Sequence, residues 1–180
     1  MTADTEHDRQ HAIATLAEMI DGVSVFMLTT VVADGSLRSL PTARARTPFD
    51  GSVWLFADPS MPAIVALPTN PQVNLSFADI PACRYISLSC TIEAVHDSAR
   101  ARELWNPDYR EWLPRGLHDP LHGLFRATVQ HAEYWDAAHS VMRQIGGLMK
   151  GLFTGNRPAV GDHISIDLPT ADAGGEQLHQ

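Results

Sequence analysis

Three β-rich runs joined by Asp-Gly turns, with no room for a helix between them, constrain this chain more than any other feature. The first is Val23-Ser24-Val25-Phe26-Met27-Leu28-Thr29-Thr30-Val31-Val32, and Asp34-Gly35 closes it before a second run over 36–46. Phe49-Asp50-Gly51 repeats the turn chemistry and launches Ser52-Val53-Trp54-Leu55-Phe56-Ala57. Glycine after aspartate supplies the positive-φ residue that tight hairpins need, and β-branched and aromatic residues suit a pleated surface. Parallel neighbours would need long crossover connections, so these strands form an antiparallel meander.

Downstream, 72–78 and 85–95 read as further strands. In the second, Ile86, Leu88, Cys90 and Ile92 share one face while Tyr85, Ser87, Ser89 and Thr91 share the other, the period of a half-buried strand. A last long strand is expected over 124–135, and 161–168 adds a short one. Helices punctuate the edges of this pattern. Residues 5–20 carry Ile13, Leu16, Met19 and Ile20 at helical spacing, with Thr5 and Asp8 as a capping box. Asp58-Pro59-Ser60-Met61-Pro62 is a helix entry, followed by Ile64 and Leu67 in a short helix that Pro68 should end. Ser98 is expected to cap a helix through Trp105, and Asn106-Pro107 opens an aromatic-rich turn with Tyr109 and Trp112. Residues 114–123 read as loop. Ser140 caps a helix whose Val141, Ile145, Leu148, Met149 and Leu152 keep a 3.6-residue period up to Gly155.

Six strands with peripheral helices predict a mainly β fold, a six-stranded antiparallel barrel, because closure removes the exposed edges of a meander. One domain is expected over 1–168, with a tail over 169–180 too poor in apolar residues to fold. The net charge of −8 and 13 scattered basic residues, of which only Lys150 is a lysine, exclude a phosphate-backbone partner and a polybasic membrane patch. The first residues lack the pattern of a signal peptide and no stretch reaches transmembrane length, so a cytoplasmic protein is expected. Cys83 and Cys90 make no disulfide framework, and Cys90 reads as a small core residue.

Familiar catalytic signatures are missing. The sequence has no G-x-S-x-G elbow, no H-E-x-x-H and no phosphate loop, and Gly146, Gly147, Gly151 and Gly155 sit on a helix rather than after a strand. His118 and His122 flank Asp119, but Pro120 prevents a regular helix through the pair and no third ligand lies nearby, so no metal site is predicted. The stretch that resists a plain reading is Arg38-Ser39-Leu40-Pro41-Thr42-Ala43-Arg44-Ala45-Arg46. A strand would keep Arg38, Thr42, Arg44 and Arg46 on one face, and Pro41 in mid-strand marks an edge, a bulge or a ligand's approach.

Several motifs now fall in a recognisable order. They are Leu28-Thr29-Thr30 with Asp34-Gly35, then Ser39 and Pro41, then Trp54-Leu55-Phe56. Asn70-Pro71-Gln72-Val73-Asn74-Leu75-Ser76-Phe77-Ala78-Asp79 follows, then Leu104-Trp105-Asn106-Pro107 with Tyr109 and Trp112, and Ala132-Glu133-Tyr134-Trp135-Asp136. From about Leu16 to Leu168 the chain resembles the general stress protein 26 family of flavin-binding split barrels, related to pyridoxamine 5′-phosphate oxidase.

The resemblance implies a homodimer with FMN, or FAD as the alternative, in clefts at the subunit interface. The ring would lie against strand backbone and the phosphate would be held by basic and hydroxyl side chains. By position, Ser39, Leu40, Pro41, Thr42, Phe56, Ala57, Asp58, Ser60 and Asn74 are the cofactor-facing set. Trp135 matches a flavin-contacting tryptophan that would reach the neighbouring subunit's site. The chain departs from the family at the phosphate: an arginine position reads Leu40, and a serine and a lysine position read Met61 and Ala63. Arg38, Arg44 and Ser60 are the candidates to compensate. No catalytic acid or base stands out. Three readings follow: a flavin-dependent oxidoreductase with a small substrate, a binder of flavin or another planar cofactor without turnover, and a barrel that has lost its cofactor.

Overall fold

A computed structural model describes residues 3–111, 113, 116–118, 123–136 and 162–168. The expected helix over 140–155 with its glycines, Trp112, Asp119 and His122 of the histidine pair, and the tail over 169–180 lie outside these residues. The chain begins with helix α1, Ala3–Ile20, followed by strands β1 (Val25–Val31), β2 (Leu37–Ala43) and β3 (Ser52–Ala57). A single helical turn, α2 (Pro62–Val65), leads to β4 (Gln72–Asp79) and β5 (Arg84–Val95). Helix α3 (Ser98–Leu104) and 3-10 turns at Pro107–Glu111 and Gly116–His118 precede β6 (Gly123–Asp136) and β7 (Asp162–Asp167).

All seven strands belong to one antiparallel sheet. Its six-stranded path runs β2-β1-β4-β5-β6-β3, and β7 pairs with β6 beside that path. Both hairpins form as the turn chemistry dictates. Gly35 and Gly51 take φ of 81° and 96°, and Asp34 and Asp50 accept the backbone N–H of Ser36 and Ser52 at 2.8 and 3.0 Å. The ends of the path meet where β2 stops. Arg44 N still donates to Ser24 O beside β1 at 2.8 Å, and one residue later Ala45 N donates to Trp54 O on β3 at 2.7 Å. An Arg44–Leu55 bridge sits at that crossing, and the sheet curls into the split barrel expected from the sequence.

The strand period decides what fills the barrel. Phe26 and Leu28 on β1, Leu75 and Phe77 on β4, and Ile86, Leu88 and Cys90 on β5 point inward and are almost wholly buried. The Phe26 and Phe77 rings pack 4.9 Å apart. Helix α1 closes one side by burying Leu16, Met19 and Ile20, the apolar stripe read from its sequence. Each such side chain contributes about 1.5–3 kcal/mol by leaving water.

Several boundaries differ from expectation. Helix α1 starts at Ala3, so Thr5 and Asp8 lie within it rather than at its cap. The cap of α3 is Asp97, whose carboxylate accepts from Ala99 N and Arg100 N; Ser98 is already the first helical residue. Helix α2 ends at Val65, before Pro68, and looser turns through Ala66 carry the chain to Asn70. A 3-10 turn at Gly116–His118 interrupts the expected loop. The second run stops at Ala43, not at residue 46, because the chain transfers its bonding to β3. The expected one-faced array of Arg38, Thr42, Arg44 and Arg46 therefore does not form. Thr42 points inward and is 3% exposed, Arg38 stands in solvent, and Arg46 lies beyond the strand.

Candidate functional site

Strand β2 pairs with β1 along one side, and among the described residues no strand pairs with its other side as far as Ala43. That is where Pro41 is tolerated, since an edge strand can lack an N–H. Beside this edge a cavity of about 220 Å³ opens between β2, the end of β3 and the 3-10 turn at Pro107–Glu111. Leu40, Pro41, Thr42 and Ala43 form one wall, Phe56, Ala57 and Asp58 a second, and Met61, Tyr109 and Leu113 complete it.

An aromatic group holds the walls in place. Phe56, Trp105 and Tyr109 pack with centroids 5.4 to 5.8 Å apart, two of the three pairs edge to face. Tyr109 is buried, and its hydroxyl accepts from Arg46 N at 3.0 Å and donates to Arg44 O at 3.2 Å. This satisfies backbone groups just where β2 ends, at a point a strand ladder cannot reach.

The residues expected to face a cofactor separate into two groups. Leu40, Pro41, Thr42, Phe56, Ala57 and Asp58 converge on the cavity. Ser39, Asn74 and Trp135 instead lie on the outward face of the sheet. There Ser39 Oγ and Thr29 Oγ1 share a hydrogen bond of 2.8 Å, and Asn74 donates to Ser87 Oγ at 2.7 Å while accepting from Ser76 Oγ at 2.7 Å. Trp135 stands opposite Tyr85 in register, 37% exposed. Ser60 lies beside the cavity rather than in it, its hydroxyl and N–H both donated to Asp58 Oδ1 at 2.6 and 2.8 Å. Arg38 bonds only its own neighbourhood, at Leu37 O. Tyr109, Leu113 and Ala43 are wall residues that the sequence reading did not assign; the Trp105-to-Tyr109 aromatic spacing was the available signal.

Electrostatically the cavity is apolar with one acid. Among the described residues no basic side chain lines it, and Asp58 is the single charged one. Of the two positions at which the resemblance implies a charged phosphate ligand, Leu40 is in the cavity wall and packs partly buried against the main core, and Ala63 is 5% exposed and outside the wall. Cys90 is a core group, as expected, and burial pushes its thiol up, away from the reactive thiolate. Among the described residues no group of three His, Cys, Asp or Glu side chains could hold a metal, and no helix is long and apolar enough to cross a membrane.

A split antiparallel barrel with a cavity beside its open edge defines a known structural class. The family model described as pyridoxamine 5′-phosphate oxidase like matches residues 11–159, and the chain belongs to that family. Protein bli-3 of Neurospora crassa is 26% identical over 166 residues, covering 87% of this chain and 79% of that protein. A solved structure from Clostridium acetobutylicum, described as related to general stress protein 26 of B. subtilis in the pyridoxinephosphate oxidase family, superposes with a TM-score of 0.65. It is 19% identical and covers 89% of this chain and 96% of its own. The general stress FMN/FAD binding protein of Xanthomonas citri superposes with a TM-score of 0.58 at 24% identity, covering 71% of this chain and 89% of its own. The split barrel and the general stress protein likeness both stand as the sequence implied.

Proposed function

We propose that this chain is a flavin-binding split barrel that holds the flavin ring in the cavity beside β2 and works as a cytoplasmic homodimeric oxidoreductase. The observation that carries the reading is the convergence of Leu40, Pro41 and Thr42 of β2 with Phe56 and Ala57 of β3 and Asp58 just after it on one cavity. The FMN/FAD binding named for the Xanthomonas citri protein supports a flavin on this fold.

The residues fit the ring better than the phosphate. Apolar walls suit a planar heterocycle, and the open edge of β2 offers backbone donors and acceptors to its polar rim. A phosphate would want cations, each charge-assisted bond contributing about 1.5–3 kcal/mol, and among the described residues Asp58 is the one charged group of the cavity. The cavity therefore selects the ring, and FMN and riboflavin should bind with similar affinity. Bound flavin supplies the electron transfer, while this chain's residues position it and exclude water.

Dimerisation is supported by the outward sheet face. Val25 and Met27, 38% and 40% exposed, and Tyr85 and Trp135 border the Ser39, Thr29, Asn74 and Ser87 hydrogen-bond row. Exposed aromatic side chains and Met27 beside satisfied polar groups suit a second copy, and Trp135 on that face would reach the neighbour's site. The missing cation also favours a second reading, a barrel that binds flavin or another planar cofactor without turnover.

The test is the visible spectrum of the purified protein during titration with FMN and with riboflavin, followed by a nicotinamide nucleotide as reductant. Flavin bands perturbed by binding support the barrel as a flavin protein, and reduction by the nucleotide supports the oxidoreductase. A protein that perturbs neither flavin sinks both.

A further inference from the structure

Past the end of β2 a second cavity, of about 480 Å³, has the opposite character. It is walled by Asp21, Gly22, Val23 and Ser24 between α1 and β1, and by Arg44, Arg46, Thr47 and Pro48. Arg44 is the unusual member. Its side chain is partly buried, its Nε is enclosed and without a hydrogen-bond partner, and among the described residues no ion pair reaches it. Burial draws the guanidinium below its ordinary pKa, and the nearby Asp21 carboxylate and Tyr109 pull it back only partly.

A desolvated guanidinium without a partner is costly, and proteins keep such groups where a ligand supplies the missing acceptor. Arg46 lines the same cavity and is drawn to Asp108 at 3.4 Å, an exposed pair that contributes little and can give way. Ser24 and Thr47 add hydroxyls to the wall. With Arg44 and Arg46 against Asp21 the cavity carries a net positive charge, although the chain as a whole is at −8. The Tyr109 hydroxyl fixes the backbone of both arginines, so their side chains project from a pinned segment rather than a free loop.

From these features we infer that the Arg44 cavity is an oxyanion site that takes the phosphate or carboxylate group of a small molecule. Arg44 donates to the anion from its guanidinium, Arg46 closes over it, and the hydroxyls of Ser24 and Thr47 complete its hydrogen bonds. The site shares no wall residue with the apolar cavity, and Tyr109 stands between them. It does not depend on flavin being bound.

Calorimetric titration of the full chain with inorganic phosphate, and separately with malonate, tests the site. Wild type and the control Arg102→Gln, at a residue of α3 outside the walls of both cavities, should bind at least one of the two saturably. Arg44→Met should lose at least about tenfold in affinity. Arg44→Gln, which keeps a polar side chain but no charge, should show the same loss. In anion-free buffer Arg44→Met should unfold about 2–4 °C higher than wild type, the sign of removing an unpaired charge, which also shows the variant to be folded. Phosphate binding that FMN leaves undisturbed assigns the anion to a second ligand, and displacement by FMN but not riboflavin assigns it to the flavin's own phosphate. Absence of saturable binding of both anions to wild type, or undiminished binding to Arg44→Met, overturns the site. Flavin absorbance is read separately, so either conclusion can fail alone.

Discussion

Along one stretch of chain, Leu40, Pro41, Thr42 and Ala43 wall an apolar cavity, while Arg44 and Arg46, directly after them, wall a polar one. The change comes where β2 stops pairing with β1 and its backbone passes to β3. Up to Ala43 the strand lends its open edge and small side chains to a flat, apolar space. Beyond it the backbone leaves the ladder, and Arg44 is left half inside the molecule, its Nε with no acceptor among the described residues. The contrast shows how a barrel's closing point can place an apolar cavity with one acid and a pocket with two arginines side by side without a separate domain for either.

Tyr109 is the one group that serves both cavities, so its removal should have the largest effect. Tyr109→Ala deletes a buried ring and two backbone hydrogen bonds, and should cost about 3–5 kcal/mol in urea unfolding. Tyr109→Phe should cost about 1–3 kcal/mol, through the bonds alone. If the two variants were equally stable, the ring would not be holding the walls.

Leu40→Arg should narrow the difference in charge between the cavities, by setting a guanidinium against Asp58 in the apolar one. Leu40 already lines the apolar one, so the new guanidinium would meet a flavin phosphate there and tighten FMN by about 1.5–3 kcal/mol, tenfold or more, while leaving riboflavin unchanged. Ala63→Lys is the poorer substitution, because Ala63 is buried outside the cavity wall and a lysine there would overpack the core. Equal tightening of FMN and riboflavin would show that the phosphate does not point toward β2.

A smaller effect separates the barrel interior from both cavities. The Cys90 thiol is pushed up by burial, so the folded state keeps its proton when the unfolded chain, above about pH 8.5, releases it. Folding stability should therefore fall as pH rises, by at most about 1.4 kcal/mol per unit, and Cys90→Ala should remove that component. The exposed Cys83 contributes no comparable burial. A Cys90→Ala profile parallel to wild type at alkaline pH would place the titration elsewhere.

Much of this was legible in the sequence because the signals are local. Asp34-Gly35 and Asp50-Gly51 form the hairpins they announce, and the alternation of Ile86, Leu88 and Cys90 with Ser87 and Ser89 gives the inward and outward faces of β5. What was missed depends on distant partners or on close competitors. Asp97 and Ser98 are both good caps, and only the backbone angle at Asp97 decides between them. Nothing near Arg44 announces that the strand ends there, since the deciding acceptor is Trp54 O and the fixing hydroxyl belongs to Tyr109, more than sixty residues on. The expected cofactor set was read as one surface, yet strand alternation sends Leu40 and Thr42 to one face and Ser39 to the other.

The flavin reading rests most directly on the apolar cavity, and its sharpest measurement is a parallel titration of the full chain with FMN and riboflavin, followed by visible absorption. Binding of both with similar affinity is the predicted result, because the walls suit the ring and, among the described residues, present no cation to the phosphate. An unchanged spectrum for both flavins would contradict the assignment of this cavity to a flavin ring.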